Sequence, residues 1–399
     1  MTNQQHFIIV GQQPWDTDIG SNCKNIALEL SKHHRVLYVN SPLDRITLWR
    51  NRKDPHVQKR IAIIKGKADG LIRINENLWN LYPDCLVESI NWIKFPKLYD
   101  RLNKRNNRLF ANSIHSAIRS LGFGDVILFN DNEMFKAFYL KELLRPKLSI
   151  YYSRDYMLGV EYWRRQGERL EPLLIAKSDL CFSNSMYLRN YCNRYNARSY
   201  YVGQGCDIDF MAEVPANRSG DDFRGITSPI IGYVGSLDSN RLDIGIIAHI
   251  AEHFPDCAVV LVGPEDDAFL SSPLHQLKNV HFLGKKPVQD LPAYINAFDV
   301  CINPQLVNAI TVGNYPRKID EYLALGKPVV ATATETMDIF KDFVYLTASK
   351  EGYIACIAKA FAEDNEATRT ARKAFAASHT WENSVGEMYS RIAARLADA

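Results

Sequence analysis

The chain has 399 residues, more than one hydrophobic core can serve, so two domains of ordinary size are expected. A hydrophobic fraction of 46% and a charged fraction of 23% exclude a disordered or fibrous chain. The 48 Lys plus Arg against 45 Asp plus Glu leave a net charge of +3, too small a global field to hold a polyanion. No run approaches the roughly 18 apolar residues of a spanning helix. Residues 1–6 carry no Lys or Arg and lead straight into Phe7-Ile8-Ile9-Val10, which reads as a first strand and not a signal peptide, so a cytoplasmic protein is expected.

Short apolar runs alternate with helical periods, as in α/β layers around parallel sheets. In the first half the runs Phe7 to Val10, Val36 to Val39, Val126 to Phe129, Leu148 to Tyr152 and Leu180 to Ser183 predict strands. Between the first two, Ser21 to His33 places Lys24, Ile26, Ala27 and Leu30 on one helical face. A polar stretch from about Asp207 to Ser228 reads as a hinge. Then the pattern restarts: Pro229 to Gly235, a helix around Ile244 to His253, and strands at Ala258 to Val262, Val280 to Leu283, Val300 to Asn303 and Pro328 to Ala331. Two such sheets across a hinge would leave a cleft at the carboxyl ends of their strands, where ligands bind in open α/β folds.

The eight cysteines are never closer than eleven residues apart, so zinc and CxxC redox spacings are absent and no chemistry is assigned to them. Between Arg45 and Arg108 stand fifteen Lys or Arg and six Asp or Glu, with Trp49, Trp79, Trp92, Phe95, Tyr99 and, just beyond, Phe110. Basic residues mixed with aromatics can dock on an anionic membrane face, and no nucleic-acid motif accompanies them. A solvated face whose aromatics belong to the core is the alternative.

The run from Gly313 to Val330 carries the chemistry. Pro316 suits the first turn of a helix, and Gly326 with Pro328 ends it after about ten residues. The opening amides and the dipole favour an anion there. Arg317 and Lys318 add cations to a turn where the dipole disfavours them unless an anion is bound. Glu321 lies one turn beyond Lys318 on the same face. A diphosphate on the amides and Lys318, with a sugar diol on Glu321, satisfies all of these groups; a surface Lys–Glu pair worth a few tenths of a kcal/mol is the other reading.

Gly232 to Leu237, Val259 to Pro264, Val280 to Gly284, Leu291 to Ile295, Asp299 to Pro304, Lys318 to Pro328 and Ser378 to Glu382 follow one another in a familiar order. With these pieces the second half resembles the nucleotide-sugar domain of the GT-B glycosyltransferases, close to the group that builds capsular or teichuronic-acid-type polymers. The first half resembles them more loosely, through Gly11 to Asp16, Gly20, Ser183 to Ser185 and Gly203 to Asp207. The resemblance implies two Rossmann-like domains facing each other across a cleft. Residues 1–207, completed by a C-terminal helix at about 381–399, would hold the acceptor, and 208–380 the nucleoside diphosphate-sugar donor.

The resemblance puts the donor at Gly235, Ser236, Arg241, Arg317, Lys318 and Glu321, with Glu321 on the ribose. The family's first glutamate falls on Gly313, and its first cation on Ser236, so sugar readout and stereochemistry stay open. For an acceptor base, Asp155 after Leu148 to Tyr152 comes first, then Asp131, Asp16 and Asp18; each could instead be an Asx turn or helix cap. No DxD pair ends a strand, and helix amides with cations can neutralise the leaving diphosphate, so neither metal nor cofactor is expected. The expected function is sugar transfer to a glycan or lipid-linked acceptor in bacterial surface polysaccharide synthesis, at the inner face of the membrane. A nucleotide-sugar epimerase of the same architecture and a non-catalytic nucleotide or sugar clamp are the rivals.

Overall fold

The computed structural model describes residues 4–17, 20–206, 221–226 and 229–398. The chain divides into two compact units, Met1–Gly203 with Ser384–Ala399, and Gln204–Asn383. Most of the hinge read at residues 207–228 lies outside the described residues, as does Asp18.

Sixteen strands are seen among the described residues. The first unit holds β1 (His6–Gly11), β2 (Arg35–Asn40), β3 (Leu43–Asp44), β4 (Leu71–Arg73), β5 (Leu78–Leu81), β6 (Leu86–Val87), β7 (Val126–Asp131), β8 (Leu148–Ser153), β9 (Leu180–Ser183) and β10 (Ser199–Tyr201). Eight of them form one sheet in the order β10-β9-β8-β7-β1-β2-β5-β4, with β3 and β6 paired apart. Every neighbour pair in the large sheet is parallel except β4 with β5. Phe7, Ile8, Ile9 and Val10 are fully buried, as an unbroken apolar run must be when helices cover both faces. The chain builds outward from β1 to β2 and β5, then returns to the other side of β1 with β7. The order therefore reverses between β1 and β7, and their carboxyl ends part there.

The second unit repeats this plan with β11 (Ile230–Val234), β12 (Ala258–Val262), β13 (Val280–Gly284), β14 (Val300–Asn303), β15 (Val329–Thr332) and β16 (Tyr345–Thr347). The order is β13-β12-β11-β14-β15-β16, all parallel, with the reversal between β11 and β14. The closing helix Trp381–Ala397 begins in this unit and returns to the first. There Tyr389 stacks on His34 at 4.8 Å between centroids, and Arg391 lies over Tyr200 at 4.6 Å.

The expected strands are present within a residue or two. The helix expected from Pro316 is shorter: it runs Arg317–Ala324, eight residues, with Pro316 just outside it in a non-helical conformation. Asp131 is the last residue of β7, not a loop residue, and Asp266 caps the short helix Asp267–Leu270. All eight cysteines are free thiols, six of them buried.

Candidate active site

In the second unit β11 runs out at Val234-Gly235-Ser236, beside the sheet's reversal point. The helix Arg317–Ala324 is moored beneath it: Tyr322 is fully buried, and its hydroxyl accepts from the Val234 N–H at 2.9 Å and donates to the Val234 carbonyl at 3.3 Å. Ile319 and Leu323 are also buried. That face fixed, the spacing turns Lys318 and Glu321 together onto another face.

The Lys318 ammonium donates to the Tyr233 hydroxyl and stands 4.1 Å from the centre of that ring. Tyr233 in turn donates to the Ser236 carbonyl at 3.2 Å. A Cβ built on Gly235 would lie 2.9 Å from the ammonium nitrogen, so the cation reaches the glycine loop itself. Gly235 has φ +144°, and a Cβ on Gly263, after β12, would come within 1.8 Å of the Gly235 carbonyl. Backbone packs on backbone, and only glycines permit it. The result is a tightly packed glycine loop, its Gly235 and Leu237 N–H groups taken by the Val262 and Pro264 carbonyls, with one ammonium beside it to attract an anion.

The loop after β14 closes the other side. Leu306 N–H donates to the Arg241 carbonyl at 2.8 Å, and Asn308 Nδ2 to the Asn240 carbonyl at 2.8 Å. Arg241 itself points outward, its side chain half exposed and 3.6 Å from Asp238. Ser236 is exposed and Arg317 half-buried. Gly313 is buried in this loop, and no carboxylate stands where the resemblance would have one.

Behind the helix lies a pair that the sequence reading missed. Asp320 is fully buried with one oxygen 2.7 Å from His379 Nδ1, and Tyr315 Oη is 3.3 Å from the same nitrogen. Burial pushes the Asp320 carboxyl up, and His379, Tyr315 and Arg317 only partly offset this. The sequence signal was an aspartate between Ile319 and Tyr322 on the apolar face of an amphipathic helix; its partner, 59 residues on, could not be named from spacing.

In the first unit, Asp131 and Asp155 meet at the sheet's reversal point. Asp131 is fully buried and accepts from Arg154 Nε at 2.8 Å and from the Gln12 N–H at 3.3 Å. Arg154 also donates to Asp155 at 2.6 Å and to Gln12 Oε1 at 3.2 Å. Burial opposes the charge of Arg154, and Asp131 with Asp155 more than restore it. Asn132, in the left-handed region at φ +55°, accepts from the Arg154 N–H at 2.8 Å and sets the turn that carries both residues. Asp131 is thus occupied in holding Arg154, while the Asp155 side chain is 38% exposed and can meet a hydroxyl. Asp16 sits elsewhere, 3.1 Å from His56 with Lys59 and Arg60 near 4 Å. Burial raises its carboxyl, but hydrogen bonds from His56 and Tyr82 and the nearby cations more than offset that and leave it below its ordinary value. A proton acceptor so weakened is a poor base. Among the described residues no group of three His, Cys, Asp or Glu is arranged to hold a metal ion.

Residues 228–364 match the family "Glycosyl transferases group 1". Solved structures share the fold over nearly the whole chain. Sucrose-phosphate synthase from Thermosynechococcus elongatus is 15% identical with a TM-score of 0.67, covering 99% of this chain and 100% of that one. HepE of Anabaena, solved with UDP, is 14% identical with a TM-score of 0.66, over 98% and 100%. Trehalose 6-phosphate synthase from Burkholderia multivorans is 10% identical with a TM-score of 0.68, over 99% and 97%. Residues 228–364 are thus similar to the group 1 glycosyl transferases, and the fold is that of the GT-B structures.

A curated relative, a Bacillus subtilis protein whose assigned role is that of the teichuronic acid biosynthesis glycosyltransferase TuaH, is 25% identical over 237 residues. The match spans 55% of this chain and 58% of that protein. The matched segment holds Gly235, Ser236, Arg241, Arg317, Lys318 and Glu321, with the Lys318 ammonium in the space that a side chain on Gly235 would take. The first unit holds Asp16, Asp131 and Asp155, of which Arg154 brings the last two together.

Proposed function

We propose that the protein transfers a sugar from a nucleoside diphosphate donor to a glycan or lipid-linked acceptor during assembly of a bacterial surface polysaccharide. One observation carries the donor reading: the Lys318 ammonium stands beside the Gly235 loop, where a side chain on that glycine would lie, with Glu321 one helical turn along. An ammonium and helix amides stabilise the diphosphate as it leaves, so the reaction proceeds without a metal ion. Glu321 takes the ribose diol, and Ser236, Arg317 and Arg241 border the phosphates. Asp155 receives the proton of the acceptor hydroxyl, its orientation set by Arg154. The UDP complex of HepE and the assigned role of TuaH support the donor and polymer classes, respectively.

No helix among the described residues is long and apolar enough to cross a membrane. Part of the basic segment is core: Tyr99 and Phe110 are buried. Trp49 and Phe95, by contrast, are 79% and 74% exposed. Their indole and phenyl faces among Arg50, Lys94 and Lys97 suit reversible attachment to an anionic bilayer on the cytoplasmic side.

Calorimetry with UDP, GDP, CDP and ADP, each with and without Glu321→Gln, tests the donor site. Saturable binding of one nucleotide, weakened in the variant without loss of melting temperature, is expected. Binding of none of the four would overturn the reading.

A further inference from the structure

A pocket of about 310 Å³ opens in the first unit, between the helix Arg45–Arg50, the stretch 88–92 and the start of the helix Glu161–Lys177. Ile46, Trp92 and Tyr162 line it while remaining substantially exposed, and Phe135 forms part of its buried wall. The Trp92 indole N–H donates to the Ser89 carbonyl at 2.9 Å, which fixes the ring. Asn91 Nδ2 donates to the Tyr162 carbonyl at 2.7 Å, which ties two walls together.

Two side chains of this lining each keep one buried amide atom without a hydrogen-bond partner among the described residues: Asn103 its Nδ2, a donor, and Asn91 its Oδ1, an acceptor. Asn103 is only 2% exposed, and its Oδ1 accepts from Asn107 Nδ2 at 3.1 Å, so the donor end is fixed by the network. Buried polar atoms left in this state are rare and call for a partner.

We propose that this pocket binds one or two sugar units of a glycan, with a pyranose face on Trp92 and hydroxyls on Asn103 and Asn91. A hydroxyl both donates and accepts, so neighbouring hydroxyls answer both amides. An aliphatic chain answers neither. A phosphate dianion accepts from Asn103 but has no proton for Asn91. An aromatic wall with a few fixed polar groups is the usual make-up of a small-molecule site, and the volume is at its lower end. That the glycan is the acceptor rests on the transferase reading; the pocket's taste for carbohydrate does not.

The test titrates the full chain with chitobiose, maltose and galactobiose, read by saturation-transfer NMR and tryptophan fluorescence. At least one disaccharide should bind saturably, and Trp92→Ala, at an exposed position, should weaken it about tenfold. Asn103→Leu should do the same, with its melting curve recorded because the site is buried. Affinity for the nucleoside diphosphate that binds wild type should be unchanged in both. No binding by any of the three, binding that survives both variants, or displacement by decyl phosphate but not by sugar would overturn the proposal. Disaccharide binding without binding of UDP, GDP, CDP or ADP would refute the donor site and leave the pocket standing.

Discussion

Replacing Lys318 with alanine separates donor binding from folding. In the free protein the half-buried ammonium donates to the Tyr233 hydroxyl and stands 4.1 Å from the centre of that ring, which is itself buried. Such a cation–π contact is worth about 0.5–1 kcal/mol at an exposed site and about 2 kcal/mol where it is desolvated. Tyr233 keeps its bond to the Ser236 carbonyl at 3.2 Å, so the hydroxyl is not stranded. Stability should therefore fall by about 1–2 kcal/mol. Against a diphosphate the same group makes a hydrogen bond between charges, worth about 1.5–3 kcal/mol. At a factor of ten per ~1.4 kcal/mol, affinity should drop about 10- to 150-fold. Calorimetry with the nucleotide that binds wild type gives the first number, and urea unfolding gives the second. Unchanged affinity would refute the placement of the diphosphate. A large stability loss with normal binding would make Lys318 a structural residue.

Asp155→Asn should reduce turnover by about 10² to 10⁴ while donor affinity holds, as for loss of a general base; ordinary turnover would show that Asp155 takes no proton. Glu171 is buried with its carboxyl pushed up to about 7 by desolvation, against hydrogen bonds from Tyr151 and Tyr191. The unfolded chain releases that proton near pH 4.3 and the folded one only near 7, so the stability held below the lower value is lost across this window. Urea midpoints should fall from pH 5 to pH 8, and Glu171→Gln should flatten the fall; an identical slope in the variant would show that Glu171 is not responsible. Vesicles with anionic lipid should sediment the protein at low salt and release it as salt rises, each cation near the surface contributing about 1 kcal/mol. Trp49→Ala with Phe95→Ala should weaken that binding, and equal recovery on neutral vesicles would remove the membrane from the account.

Central strands were legible because a parallel strand buried on both faces must be apolar throughout, as Phe7 to Val10 and Val259 to Val262 are. The helix Pro96–Leu121 was not, although it is the longest among the described residues. Its buried face carries Asn103, Asn106, Asn107 and Ser113, so its apolar period is broken. Asn106, Asn107 and Ser113 are accommodated by main-chain groups of other segments, such as Asn106 with the N–H and carbonyl of Glu88. Local pattern records none of that. Lys318 and Glu321 could be read because charge, helix start and spacing lie within one short run. The Asp131–Arg154–Gln12 cluster and the Asp320–His379 pair join residues brought together by strand order, and they become visible only once the sheets are folded. Exposure was equally hidden: composition gave Trp49 and Tyr99 the same standing, and packing separates them.

Incubating the protein with each of the four nucleoside diphosphate sugars, labelled separately in sugar and nucleotide, addresses the central claim most directly. Product analysis should show free nucleoside diphosphate appearing in step with sugar released to water or moved to an added glycan. Sugar that remains on the nucleotide but emerges epimerised, or donor that is bound and returned intact with every acceptor tried, would contradict transfer.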